Sequence, residues 1–236
     1  MGASRVIAIT GASRGVGLGL VRHFIDKGWK VHGCSRGESE FSHPNYVHGV
    51  ADMSDDAQTR KWVRSIKQAE GRVDLLLCNA GVVKSALMTP MIPTDLFMSF
   101  FESSFKSTFI ACREMAKVMI QQRGGRIVTI GSSMTIVHEP GTAAYSANKA
   151  AVVEFTKVLA RELAPYGITC NVLSPSLVTT PSSEAMGEDW RKRILALQVL
   201  QRPVEIAELG AIVEFFAAPS SACITGQVLT TCFVAP

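Results

Sequence analysis

Arg5-Val6-Ile7-Ala8-Ile9-Thr10 runs without a break into Gly11-Ala12-Ser13-Arg14-Gly15-Val16-Gly17, and that junction decides the fold. The first stretch is a short apolar run of the kind that forms a buried strand. Beyond the glycines, Val16, Leu20, Val21, Phe24 and Ile25 recur at helical spacing. The order is strand, glycine-rich turn, helix. Glycines let the backbone turn sharply and approach a pyrophosphate, and the free N–H groups of the helix N-terminus face it. The spacing is Gly-x-x-x-Gly-x-Gly, not the commoner Gly-x-Gly-x-x-Gly, so the turn needs support from elsewhere in the chain.

Outward from this junction, strand-like runs recur at Lys30–Ser35, Tyr46–Val50, Val73–Cys78, Arg126–Gly131, Ile168–Leu173 and Gln227–Thr231. Helical patterns alternate with them at Gly15–Lys27, Ala57–Ala69, Thr94–Gln122, Ala143–Ala164 and Val204–Phe216. Alternation predicts an α/β fold: a parallel sheet of about seven strands, doubly wound in the Rossmann manner, with helices on both faces. No linker or repeat divides residues 1–236, which predicts a single domain. Between Arg36 and Tyr46 there is too little chain for a crossover helix. The polar start of Pro181–Leu200 reads as part of a substrate loop spanning residues 179–203 and leading into a short helix.

The support comes from Tyr145 and Lys149, four residues apart, with Ser132 upstream. On a helix over Thr142–Pro165, positions i and i+4 share a face. A cation beside a phenol favours phenolate and lowers the tyrosine pKa from about 10. A phenol so tuned can give a proton to a carbonyl oxygen or take one from an alcohol. A hydroxyl at a strand end, Ser132, can hold the same oxygen.

Composition excludes several classes. Hydrophobic residues make up 47% of the 236 residues, enough for a substantial core. No apolar stretch approaches the roughly 18 residues that span a membrane, and the glycine-rich start carries no apolar signal region. A cytoplasmic protein without membrane contact is expected. The net charge of +4 is dispersed and argues against nucleic acid. Arg191-Lys192-Arg193 reads as a solvated helix face. Six cysteines, Cys34, Cys78, Cys112, Cys170, Cys223 and Cys232, show no metal spacing, and neither do the histidines. Cys34, Cys78 and Cys170 read as buried small hydrophobes.

Taken in order, Thr10-Gly11-Ala12-Ser13-Arg14-Gly15-Val16-Gly17, Asn79-Ala80-Gly81, Ser132, Tyr145, Lys149, Asn171, Pro175, Thr180 and Ile224-Thr225-Gly226-Gln227 resemble the short-chain dehydrogenase/reductase family over essentially the whole chain. The flavour is that of its single-domain NADPH-dependent members, which include 3-oxoacyl-carrier-protein reductases. The resemblance implies Tyr145 as general acid in reduction, Lys149 as the group that lowers its pKa and binds the nicotinamide ribose, and Ser132 as the holder of the substrate oxygen. It implies a cofactor site formed by Gly11, Ser13, Arg14, Gly15, Val16, Gly17, Arg36, Asp52, Met53, Asn79, Ala80, Gly81, Pro175, Val178 and Thr180. An NAD enzyme usually ends its second strand on a carboxylate. Here that strand ends Cys34-Ser35-Arg36, and Arg36 with Arg14 suits a 2′-phosphate, so NADP(H) is expected. Asp52 would meet the adenine, and Ser54 could cap the following helix.

Four departures from the family pattern stand out. Ser104 takes the place of an asparagine whose backbone carbonyl holds a water behind the lysine, which implies an altered proton relay with activity retained. Cys78 replaces an asparagine, Ser176 a glycine, and Thr230-Thr231-Cys232-Phe233-Val234 an acidic, glycine-rich ending. The expected function is reduction of a ketone, such as a β-ketoacyl thioester on acyl-carrier protein or CoA, at an apolar mouth framed by 82–93, 138–142 and 179–200. Lys84 with Arg191, Lys192 and Arg193 could meet an acidic carrier, although dispersed surface charge accounts for them equally well. Two alternatives stay open: a non-catalytic NADP-binding scaffold, and an alcohol dehydrogenase running oxidatively. The resemblance also implies a homo-oligomer, dimer or tetramer, through the helices at Thr94–Gln122 and Ala143–Ala164. Phe97, Phe100, Phe101, Phe105 and Phe109 make the first of these aromatic, and some of them must face the sheet.

Overall fold

The computed structural model describes residues 4–81 and 87–234. Val82, Val83 and Lys84, read above as part of the mouth, lie outside the described residues. Seven strands form one parallel sheet: β1 (Val6–Thr10), β2 (Lys30–Ser35), β3 (Tyr46–Val50), β4 (Leu75–Cys78), β5 (Gly125–Ile130), β6 (Ile168–Ser174) and β7 (Val228–Thr230). Their spatial order is β3-β2-β1-β4-β5-β6-β7. The order reverses between β1 and β4, which pair from Ile7 with Leu75 to Thr10 with Cys78. A crevice opens at the carboxyl ends of strands at such a reversal, and both the glycine turn and Asn79 emerge there. The Rossmann-type α/β expectation is borne out.

Alternation along β1 sorts the core. Ile7 and Ile9 point to one face, where α1 (Gly15–Asp26) and α9 (Ile206–Ala217) supply Leu20, Val21, Phe24, Leu209, Val213 and Phe216. Val6 and Ala8 point to the other, toward α2 (Asp56–Glu70), α4 (Ser107–Gln122) and α6 (Ala143–Leu163). Side chains alternate across a strand, so a strand buried on both faces is apolar throughout. Phe24 and Trp29 are fully buried, each stabilising the fold by about 1.5–3 kcal/mol. Cys34, Cys78, Cys112 and Cys170 all lie in the second cluster. Burial holds the Cys34 thiol pKa far up and Cys170 at about 12, so these are inert thiols.

Three local readings are corrected. The cap of α2 is Asp55, whose carboxylate accepts from the Gln58 N–H; Ser54 instead donates twice to Asp52. The long helix expected over Thr94–Gln122 is broken. α3 (Thr94–Phe100) is followed by a π-helical turn over Phe101–Lys106 before α4 begins. A π turn inserts extra backbone and re-aims the side chains that follow, a device frequent at functional sites. Of its five phenylalanines only Phe100 is buried; Phe105 and Phe109 meet Phe155 of α6 edge-on instead. Beyond β6 the expected short helix is present, and the polar start before it, expected as loop, itself makes a helical turn. After the short α5 (Met134–Val137), the remaining helices are α7 (Pro181–Glu184) and α8 (Glu188–Leu197). The stretch 179–203 leaves and returns at one point, where Val178 bridges Val204 and the Val204 N–H donates to the Leu177 carbonyl at 2.8 Å.

Candidate active site

Glycine is needed at two positions of the first turn for different reasons. Gly11 has φ +70°, and any side chain on it would strike Ala80. A Cβ on Gly17 would lie 2.0 Å from the Gly11 carbonyl oxygen, so helix and turn are in closest contact there. The start of α1 has no side-chain cap and no acidic residue in its first turn. Its free N–H groups and positive end are therefore left for an anion. Thr10 and Asn79 lock the arrangement. The Thr10 hydroxyl oxygen accepts from the N–H groups of Asn79 and Ala80 at 3.1 and 3.0 Å. The Asn79 side-chain amide donates to the carbonyls of Thr10 and Gly11, both at 3.1 Å. Sequence reading missed Thr10 as a site-building residue. The signal was present: a hydroxyl at the last position of an otherwise apolar strand.

A cleft of about 1510 Å³ follows from this turn across the carboxyl edge of the sheet. Its rim brings together the residues expected from the sequence: Gly11, Ser13, Arg14, Gly15, Val16 and Gly17, then Arg36, Asp52, Met53, Asn79, Ala80 and Gly81, then Ser132, Tyr145, Lys149, Pro175, Val178 and Thr180. Met53 borders it while belonging to the core cluster beneath. Arg14 and Arg36 are exposed, with no ion pair among the described residues. Asp52 is raised by burial but lowered more by the Ser54 bonds, Arg36 and Lys106, and ends below the usual carboxylate range. Thr180 caps α7 by accepting from the Ser183 N–H, and the Ser183 hydroxyl donates to the Val178 carbonyl.

At the far end of the cleft, Ser132 and Lys149 are buried and Tyr145 is half-buried. The Met134 N–H donates to the Ser132 oxygen at 3.2 Å, which leaves the serine's own proton free to donate elsewhere. Lys149 Nζ donates to the Ile130 carbonyl at 2.7 Å and stands 5.9 Å from the centre of the Tyr145 ring. Burial lowers its pKa to about 8. The expected depression of the tyrosine pKa by this lysine is not what the structure has. Burial among Met134, Leu177, Ile194 and Trp190 pushes Tyr145 up, and the Ser132 hydroxyl facing the phenol is what opposes it. Lys149, 5.9 Å from the ring centre, does not outweigh that burial.

Ser104 is buried within the π turn, and its hydroxyl has no partner among the described residues. A Cβ placed on Gly81 would lie 3.4 Å from Ser104 Oγ and 3.6 Å from Lys149 Nζ, so both groups border the same small space. The Ser104 carbonyl accepts from the Ser107 hydroxyl at 2.9 Å and from the Ser107 backbone N–H, so both of its lone pairs are used within the helix. The other departures are accommodated. The Ser176 hydroxyl is hydrogen-bonded to Gln198 at the end of α8, and the Ser176 N–H donates to Thr231. The basic cluster on α8 is largely paired: Lys192 with Glu188 at 2.8 Å and Arg193 with Glu139 at 2.9 Å. Among the described residues there is no cluster fit to hold a metal and no helix long and apolar enough to cross a membrane.

The family model for short chain dehydrogenases matches residues 5–191, the span that contains the glycine turn, Asn79, Ser132, Tyr145 and Lys149. The chain belongs to that family. It is therefore placed among oxidoreductases. It is 32% identical over 231 residues to a 3-oxoacyl-(acyl-carrier-protein) reductase of Salmonella typhimurium, covering 95% of this chain and 94% of that protein. An acetoacetyl-CoA reductase of Acinetobacter is 30% identical over 241 residues, with 98% and 97% covered. Among solved structures, a short-chain dehydrogenase/reductase of Serratia marcescens superposes with a TM-score of 0.87 at 29% identity over 96% of this chain and 95% of that one. A 3-ketoacyl-(acyl-carrier-protein) reductase of Brucella melitensis complexed with NADH superposes at 0.89 with 24% identity, covering 96% of each chain, a likeness of fold.

Proposed function

We propose that this member reduces the ketone of a β-ketoacyl thioester or a similar biosynthetic carbonyl with NADPH. The observation that carries the reading is that one cleft joins an uncapped helix start and two exposed arginines to the Ser132–Tyr145–Lys149 group. Its relatives are named for reduction of 3-oxoacyl and acetoacetyl thioesters. The glycine turn and α1 would hold the pyrophosphate, Arg14 and Arg36 the 2′-phosphate, Asp52 and Met53 the adenine. Asn79, Ala80, Gly81 and Lys149 would hold the ribose side, and Pro175, Val178 and Thr180 the nicotinamide side. When bound, that group supplies the hydride. Ser132 donates a hydrogen bond to the ketone oxygen, and Tyr145 gives that oxygen its proton as the alcohol forms. The resulting phenolate is favoured by the Lys149 cation, and solvent returns the proton.

The lysine pKa gives a pH dependence. Lys149 is depressed by burial to about 8, so it carries its charge below that pH and loses it above. Reductive kcat/KM, which reports groups of the free enzyme, is expected to fall as pH rises through about 8. The Lys149→Arg protein should show no such break, since guanidinium stays protonated. A wild-type profile flat from pH 7 to 9 would count against Lys149 as the charged partner.

The direct test follows oxidation of NADPH and NADH against a panel containing acetoacetyl-CoA and longer 3-oxoacyl thioesters. Turnover with a thioester, and at least tenfold higher kcat/KM with NADPH, is expected. Equal rates with NADH would sink the reading of Arg14 and Arg36. Tight NADPH binding with no turnover against any ketone would turn the reading to a scaffold.

A further inference from the structure

The connection from β2 to β3 spans only residues 36–45 and contains no helix, so nothing of regular structure fixes Arg36. Its neighbours on the same rim, Glu38 and Glu40, carry the opposite charge and line the same end of the cleft. Whichever of these side chains faces the adenosine ribose decides whether a phosphate there is attracted or repelled. The register of this short turn is therefore a matter of sign.

The turn is held by an imidazole and a hydroxyl that meet at the Gly37 carbonyl. His48 of β3 pairs with Gly33 of β2, and its ring lies on the same face as Tyr46, two residues earlier. Tyr46 Oη is 2.7 Å from His48 Nδ1. His48 Nε2 is 3.0 Å from the Gly37 carbonyl and 3.0 Å from Ser35 Oγ. The Ser35 hydroxyl donates to that same carbonyl at 2.7 Å. Its proton is thus spent, and the Ser35 oxygen can only accept from His48. One tautomer satisfies every partner: Nε2–H donates toward Gly37 and Ser35, and Nδ1 accepts from the tyrosine. Behind it, Tyr46 meets the Phe41 ring at 5.6 Å, and Arg22 covers Phe41 at 5.1 Å. Gly33 makes room for this, since a Cβ there would stand 2.5 Å from the tyrosine oxygen. The bond to Gly37 falls between Arg36 and Glu38.

We propose that His48 is a positioning residue for cofactor selection: by clamping Gly37 and Ser35 it keeps Arg36, and not Glu38, turned to the ribose 2′ position. This rests on the NADP(H) reading above. A purely structural role would weaken both dinucleotides alike, whereas this role weakens only the phosphorylated one.

The test measures binding of NADP⁺ and NAD⁺ by calorimetry, with no substrate, to wild type, His48→Leu and His48→Gln. The glutamine amide can still donate to Gly37; leucine cannot. For His48→Leu we expect an NADP⁺ Kd about tenfold weaker, a change of about 1.4 kcal/mol, with NAD⁺ changed less than twofold. His48→Gln should recover NADP⁺ binding to within threefold of wild type. Should the leucine variant not fold, Tyr46→Phe removes the donor to Nδ1 while keeping the ring, and the same preferential loss is expected. Equal weakening of both dinucleotides, or unchanged NADP⁺ binding in a folded variant, would overturn the assignment. The parent reading fails separately, in wild type alone, if NADP⁺ binds no tighter than NAD⁺.

Discussion

Tyr145→Phe is expected to lower kcat by about 10³-fold, within the range for loss of a positioned general acid, while the NADPH Kd stays within about threefold of wild type. The ring is packed among Met134, Leu177, Ile194 and Trp190, and phenylalanine keeps that packing. Only the hydroxyl is lost, and with it the proton for the ketone oxygen. Ser132 cannot substitute, because its hydroxyl has no base within the described hydrogen bonds to restore a lost proton. Since burial raises the tyrosine pKa, the phenol stays protonated across the working range. Reduction should therefore lose nothing on the alkaline side to Tyr145 before Lys149 titrates. The measurement is steady-state turnover beside fluorescence titration of NADPH. A variant keeping a tenth of wild-type kcat would remove Tyr145 from the role.

Gly17→Ala is expected to weaken NADPH binding by about 100-fold and to lower the melting temperature. The added methyl would lie 2.0 Å from the Gly11 carbonyl oxygen and 2.6 Å from the Asn79 amide nitrogen, the two atoms whose hydrogen bond closes the turn. The carbonyl is backbone and cannot swing aside, so the helix must move. About 3 kcal/mol is at the upper end of what overpacking costs, which corresponds to about 100-fold in affinity. Gly15→Ala is the control. That glycine has φ +55°, but no atom lies within 4 Å of the added methyl. It carries a strain of about 1–2 kcal/mol without a collision. Calorimetry on both variants separates the cases; Gly17→Ala binding as well as Gly15→Ala would show that the turn does not need this contact.

The parts of the molecule legible in the sequence are those set by local pattern. The run Val6–Thr10 with its glycines foretold β1, the turn and α1, and the brevity of residues 36–45 foretold a helix-free link from β2 to β3. Tyr145 and Lys149 were brought to one cleft with Ser132 because spacing on a helix and the end of a strand are local matters as well. What escaped was tertiary. Phe101–Lys106 is as good an α-helical stretch as its neighbours by composition; its π turn arises where the helix passes Gly81 and Lys149. The direction of the Tyr145 shift was misread because an i+4 lysine was credited with a field, whereas burial governs both groups. The Ser176 hydroxyl finds Gln198, twenty-two positions away, and no periodicity announces such a bond.

The closing of residues 179–203 at a single bridge between Val178 and Val204 has an evolutionary side. Both ends of the excursion are fastened to the same spot on the sheet edge, with Gln198 tied to Ser176 just inside. Length and sequence between the fasteners can drift without disturbing strand register or the glycine turn. Descendants of such a scaffold can vary this one cassette and inherit the strand order and the glycine turn unaltered, as long as Ile194 and Trp190 within it keep their packing on Tyr145.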